Sequence, residues 1–203
     1  MKVNVKYLQS RLSRNYRNDT IWANVSASGD IDIDFIRQFK DRLNWKNLCW
    51  NHNVNFTEEF IEEFADYIDW RNVSNSVSLP DKLIFKYADK LYFNQMAKWN
   101  CWNLSEAVVD RFGDQMDWGY ISFKMTMSNS FIKRHRNKLG IDFLDMNPNI
   151  PTKLFKLLEK LREEGKFKAH QYYEGTGMKE IYEEAVKKFN SLPEIDEYFA
   201  KVK

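Results

Sequence analysis

Four stretches of the chain, FKDRLNW (39–45), FADYIDW (64–70), YADKLYF (87–93) and FGDQMDW (112–118), superimpose without gaps. Their landmark aromatic stands at Trp22, Trp45, Trp70, Phe93 and Trp118, with Ile141 as a degenerate last copy, so the spacing alternates between 23 and 25 residues. Self-similarity at such a period marks stacked supersecondary units, each too small to cover its own apolar face. A chain built this way must fold by lending cover from one copy to the next.

Each copy opens alike, with an apolar residue, a capping-type residue, two arbitrary positions and an apolar pair. The five openings are Ile31-Asp32 with Phe35-Ile36, Phe56-Thr57 with Phe60-Ile61, Leu79-Pro80 with Leu83-Ile84, Leu104-Ser105 with Val108-Val109, and Met127-Ser128 with Phe131-Ile132. Asp, Thr or Ser accepts a bond from a first-turn amide that has no partner within the helix, Pro80 is expected in the first turn, and the flanking apolar residues are placed to form a hydrophobic staple. Apolar residues then recur at helical spacing, as in Phe60, Ile61, Phe64 and Ile68, which predicts a helix of about three turns with one buried stripe. The landmark aromatic and the apolar residue three positions on, as in Trp70 and Val73, predict a shorter helical turn folding back. The predicted fold is all-α: an α-solenoid of about five 23–25-residue repeats over residues 21–145, with a basic segment over 1–20 and a C-terminal helical region over 146–203 that caps the array. The Trp ladder is expected to be core between repeats.

Composition agrees. Only 7 Gly and 4 Pro occur in 203 residues, while 16% are aromatic, a scarcity of breakers that favours helix. The first 18 residues, MKVNVKYLQSRLSRNYRN, lack the apolar region of a signal peptide, and no uncharged run approaches the roughly 20 residues that span a bilayer. Two cysteines, Cys49 and Cys101, read as reduced thiols, so the expected location is the cytoplasm.

The alternating spacing points to a candidate surface. From landmark to next helix start is nine residues after Trp22, Trp70 and Trp118, but eleven after Trp45 and Phe93. The two longer connections hold Cys49-Trp50-Asn51-His52 and Trp99-Asn100-Cys101-Trp102. Lying two repeats apart, they would share one edge of a stacked array, with Trp50, His52, Trp99 and Trp102 as candidate partner-binding residues. Trp dominates interface energies because it buries a large area at low entropic cost. The alternative is that Trp50, Trp99 and Trp102 fill gaps between alternate repeats. A zinc site drawn from Cys49, His52 and Cys101 would lack a fourth ligand, and no metal or other cofactor is expected.

The net charge of +2 is small, but Lys2, Lys6, Arg11, Arg14 and Arg17 precede the first acid, Asp19, and a second knot runs Lys133-Arg134-His135-Arg136-Asn137-Lys138. Such clusters are usually solvated faces; the functional reading is steering of an acidic partner or direct nucleic-acid binding, with Lys133, Arg134 and Arg136 in contact. Catalysis is not expected. His52, His135 and His170 are scattered, and Asp41, Asp66, Asp89 and Asp114 recur once per repeat, as solvent-facing or inter-repeat hydrogen-bonding residues would. In the tail, Pro151 to Gly165 and two stretches near 179–190 and 193–202 read as helices. Gly175-Thr176-Gly177 lacks the Lys and preceding strand of a phosphate loop.

The phrase Glu59-Phe60-Ile61-Glu62-Glu63-Phe64-Ala65-Asp66-Tyr67-Ile68-Asp69-Trp70-Arg71-Asn72-Val73-Ser74 resembles tandem Trp-containing repeats of bacteriophage and large-DNA-virus proteins. The likeness covers roughly residues 20–145 and departs at Phe93 and at Leu139-Gly140-Ile141. It implies a helical repeat architecture and carries over no functional residues. By analogy with small phage proteins, it implies a non-enzymatic binder of a host factor, such as a nuclease or ribonucleoprotein complex of host defence, in the manner of an anti-CRISPR protein, or an assembly aid.

Overall fold

The computed structural model describes residues 18–168 and 178–202. Among them there is no β-strand, only helices, short 3-10 turns and connections. No helix among them is long and apolar enough to cross a membrane. The chain divides into two compact units, with the boundary between Tyr92 and Phe93. The residues after Asp145 lie in the second of these units.

The first unit contains α1 (Asn18–Ser28), α2 (Ile33–Phe39), α3 (Trp45–Leu48), α4 (Glu58–Glu63), α5 (Trp70–Ser76) and α6 (Asp81–Lys86). The second contains α7 (Phe93–Asn100), α8 (Glu106–Phe112), α9 (Trp118–Lys124), α10 (Asn129–Arg134), α11 (Ile141–Asp145), α12 (Thr152–Glu163), α13 (Met178–Ser191) and α14 (Pro193–Lys201).

The predicted helix starts are where the sequence put them. Asp32, Thr57, Ser105 and Ser128 accept from the amides of Phe35, Phe60, Val108 and Phe131 at 2.8, 3.2, 3.2 and 3.2 Å. Phe56 stacks edge-on against Phe60 at 4.9 Å, as a staple requires. Pro80 is the cap residue itself, one position before the first turn, and makes no side-chain cap bond.

The predicted length was wrong in an instructive way. Each opening helix has six or seven residues and ends well before the landmark, which instead begins a second helix. The second helix has its own cap: Asn44, Asp69 and Asp117 accept from Asn47, Asn72 and Gly119 amides at 3.0, 3.0 and 2.8 Å, and an Asn or Asp there favours a helix start.

The landmark rings then join successive copies. Trp45 packs on Phe60, Phe64 and Tyr67, Trp70 on Tyr87, Phe93 on Phe112 and Trp118 on Phe131 and His135, at centroid distances of 4.3 to 6.4 Å. The indole N–H groups of Trp45, Trp70 and Trp118 also donate to the carbonyl five residues back, Lys40 at 2.8 Å, Ala65 at 2.9 Å and Gly113 at 2.8 Å. Exposed ion pairs follow the same register, Lys86 with Glu62 at 2.6 Å, Lys90 with Asp66 at 3.7 Å, and Lys82 with Glu58. Such pairs add little stability but fit only one alignment of neighbouring helices.

A second tie occurs in alternate copies. Ser26, Ser74 and Ser122, four residues after Trp22, Trp70 and Trp118, are fully buried. Their hydroxyls accept from the amides of Asn44, Tyr92 and Gly140 at 2.8, 3.1 and 3.4 Å. Ser26 and Ser74 donate in turn to the Trp22 and Trp70 carbonyls at 2.7 Å.

The C-terminal helices pack on the last copies, as their amphipathic sequence predicts. The Tyr182 hydroxyl donates to the Lys138 carbonyl and lies 3.2 Å from Ser122 Oγ. Arg162 meets the buried Asp145 at 2.6 Å. Tyr198 donates to Asn129 at 2.7 Å. Gly165, φ 71°, lets α12 end with the Lys166 amide bonded back to the Leu161 carbonyl at 2.9 Å, a left-handed stop that a side chain would strain.

Two substitutions test these ties by urea denaturation. Ser74→Ala leaves the Tyr92 amide without its acceptor and is expected to lower stability by about 1–3 kcal/mol. Trp70→Phe keeps the ring contact and loses the N–H bond, for about 1 kcal/mol, whereas Trp70→Ala costs about 3 kcal/mol.

Candidate functional site: the exposed tryptophans

Each long connection holds a Trp-Asn pair, Trp50-Asn51 after α3 and Trp99-Asn100 at the end of α7, and the two residues differ in burial. Asn51 and Asn100 are buried. Asn51 donates to the Gly29 carbonyl at 2.9 Å and accepts from the Asn53 amide at 3.0 Å. This side-chain turn holds the connection from inside and leaves the neighbouring indole outside. Asn147 repeats the arrangement in the last copy, donating to the Ser122 and Met125 carbonyls at 2.9 Å and accepting from the Asn149 amide at 2.9 Å.

Trp50, Trp99 and Trp102 are accordingly 51%, 50% and 52% exposed. Half of each ring is open to water, while Asn51, Asn100, Cys49 and Cys101 beside them are buried. Landmark residues behave oppositely, Trp22 and Phe93 being buried.

In the first unit, Trp50 donates to Asn72 Oδ1 at 3.3 Å. With exposed His52, Phe56, Asn75 and Ser76 it lines a groove of about 500 Å³. In the second unit, two lysines interleave with rings. Lys98 Nζ lies 5.2 Å from the Trp99 centroid and 5.8 Å from that of Tyr120. Lys124 Nζ lies 5.5 Å from Tyr120 and 5.9 Å from Trp102. The row Trp99, Lys98, Tyr120, Lys124, Trp102 thus alternates ring and cation. Lys98, Tyr120 and Lys124 were not singled out from the sequence. The available signal was the absence of any acid from residues 90–105 and 118–141.

The second basic knot is engaged within its own unit. Arg134 grips Asp110 at 2.9 and 3.3 Å, and His135 meets the same carboxylate at 2.5 Å. Burial pushes the Asp110 carboxyl up, but the His135 and Arg134 bonds outweigh it and hold the group below its usual range. Lys138 pairs with Asp114 at 2.6 Å over the Trp118 ring. Lys133 donates to the Phe199 carbonyl at 3.1 Å, and Arg136 pairs with Asp196 at 2.5 Å while lying over Phe189. These cations, read from the sequence as candidate contacts, tie the preceding repeat and the last helices together. Lys2, Lys6, Arg11, Arg14 and Arg17 fall outside the described residues, as does His170.

The recurring carboxylates act between repeats: Asp41 accepts from Tyr67 at 3.0 Å, Asp66 pairs with Lys90 and Asp114 with Lys138. Among the described residues no three His, Cys, Asp or Glu side chains form a metal-holding group. Cys49 and Cys101 are free and buried, and burial pushes both thiols up to about 12. Since the thiolate is the reactive form, Ellman's reagent at pH 8 is expected to label neither cysteine in the folded protein and both in denaturant.

No protein-family model matches the chain, no curated protein matches its sequence, and no solved structure matches its fold.

Proposed function

We propose that the chain is a non-enzymatic helical-repeat protein, an α-solenoid, that docks on a protein partner through the tryptophans of its long connections. The observation that carries this reading is the half exposure of Trp50, Trp99 and Trp102, where the landmark residues Trp22 and Phe93 are buried. Trp is among the residues most enriched where truncation weakens an interface. The groove beside Trp50 and His52 adds polar donors and acceptors at the rim, which fix orientation.

That the partner is a host defence or nucleic-acid-handling complex, met in the cytoplasm of a host cell, rests on the resemblance to viral Trp-repeat proteins alone. Lys133, Arg134 and Arg136 have internal partners, so steering by the 133–138 knot is at most a rim effect.

The test is capture from host lysate with the full chain and with the triple variant Trp50→Ala, Trp99→Ala, Trp102→Ala. Loss of about 2 kcal/mol at a single hot spot is roughly 30-fold in affinity, so the triple variant is expected to lose its partner while its far-ultraviolet circular dichroism stays helical. Capture that survives all three substitutions defeats the reading.

A further inference from the structure

We propose that the groove beside Trp50 is a binding site for an uncharged saccharide, with a sugar ring lying on the indole and its hydroxyls meeting the amide, imidazole and hydroxyl groups around it. This goes beyond the protein-docking reading, which draws on three tryptophans, and does not require it.

The groove lies between two short segments of the first unit. One wall is the connection after α3, with Trp50, His52 and Asn55; the other is the end of α5 and the residues that follow, with Asn75 and Ser78. Trp50 Nε1 donates to Asn72 Oδ1 at 3.3 Å, and the Ser76 hydroxyl donates to the Cys49 carbonyl at 3.1 Å. The walls are therefore tied to each other, and the indole has a fixed bearing before any ligand arrives. Such preorganisation lowers the entropic cost of binding. The volume, about 500 Å³, is that of a small-ligand cleft.

The lining selects the ligand. No Asp, Glu, Lys or Arg is among the residues that line the groove, so it offers no counter-charge to a phosphate, a carboxylate or an ammonium group. A wholly apolar ligand would leave the polar side chains unpaired. His52, Asn55 and Ser78 are exposed, and part-buried Asn75 has an Oδ1 with no hydrogen-bond partner. Each of these side chains both donates and accepts, as a sugar hydroxyl does. Half of the Trp50 surface is open to water, and the electron-rich face of an indole takes the polarised C–H groups of a sugar ring as weak donors. A helical peptide already pairs its own backbone groups and brings no such row of free hydroxyls.

The experiment is an array of neutral, sialylated and sulfated oligosaccharides probed with the fluorescently labelled full chain, followed by isothermal titration of the retained glycans. Retention on neutral glycans is expected, little changed by added salt because no charge is neutralised. Trp50→Ala is expected to weaken the titrated affinity about ten-fold or more, Trp50→Phe to keep part of it, and Asn55→Ala, at an exposed position, to weaken it about three-fold. The double variant Trp99→Ala, Trp102→Ala is expected to bind as the parent chain does. An array on which nothing is retained overturns the proposal, and so does preference for the sialylated or sulfated glycans, or an affinity that survives Trp50→Ala. Because the glycans are free of protein and the site uses Trp50 alone, failure here leaves capture of a protein partner standing, and failed capture leaves the glycan titration standing.

Discussion

The structure depends on one contact made repeatedly: a landmark ring lies on the first helix of the following copy while its indole N–H is tied to the carbonyl five residues behind it. The ring covers an apolar face that a helix of six or seven residues cannot cover by itself. The N–H bond meanwhile adds a partner to a carbonyl just beyond the point where the preceding helix stops. Short helices are marginal alone, so local and inter-copy structure stand or fall together. At Phe93 the hydrogen bond is absent and the ring stacks on Phe112 at 4.3 Å, nearly parallel, so the covering role survives where the tie does not.

Charge and cysteine show how much of this chemistry is internal. The knot at 133–138 looks from its sequence like a cationic patch, because its acid partners lie 24 or more residues away, at Asp110, Asp114 and Asp196. Folding brings them together. Lys98 and Lys124, which lie over the rings of Trp99, Tyr120 and Trp102, are single residues that no local pattern marks.

Helix starts, the helical class and the inter-copy role of the Trp ladder were legible because each is written in one short window: cap, apolar pair, aromatic. Helix lengths were not, because the caps at Asn44, Asp69 and Asp117, which open a second helix, were hidden inside the repeated phrase and read as part of the stripe. The long connections were legible as exceptions, yet whether Trp or Asn would turn inward was open. Asn51 decides it, since its amide can satisfy both a carbonyl and an amide of the connection at once, and an indole N–H cannot. The even division of the chain after Tyr92 left no mark in composition at all.

Buried Ser26, Ser74 and Ser122 recur every 48 residues, whereas Cys49 and Ala97 stand in the intervening copies as buried fill. The true module of this chain is therefore a pair of unlike copies, one carrying a hydroxyl anchor and a tight link, the other a Trp-bearing loose one. An ancestor or descendant of this protein could lengthen or shorten without mismatched joints only by two copies at a time, so its outward-facing indoles would be gained and lost at every second copy.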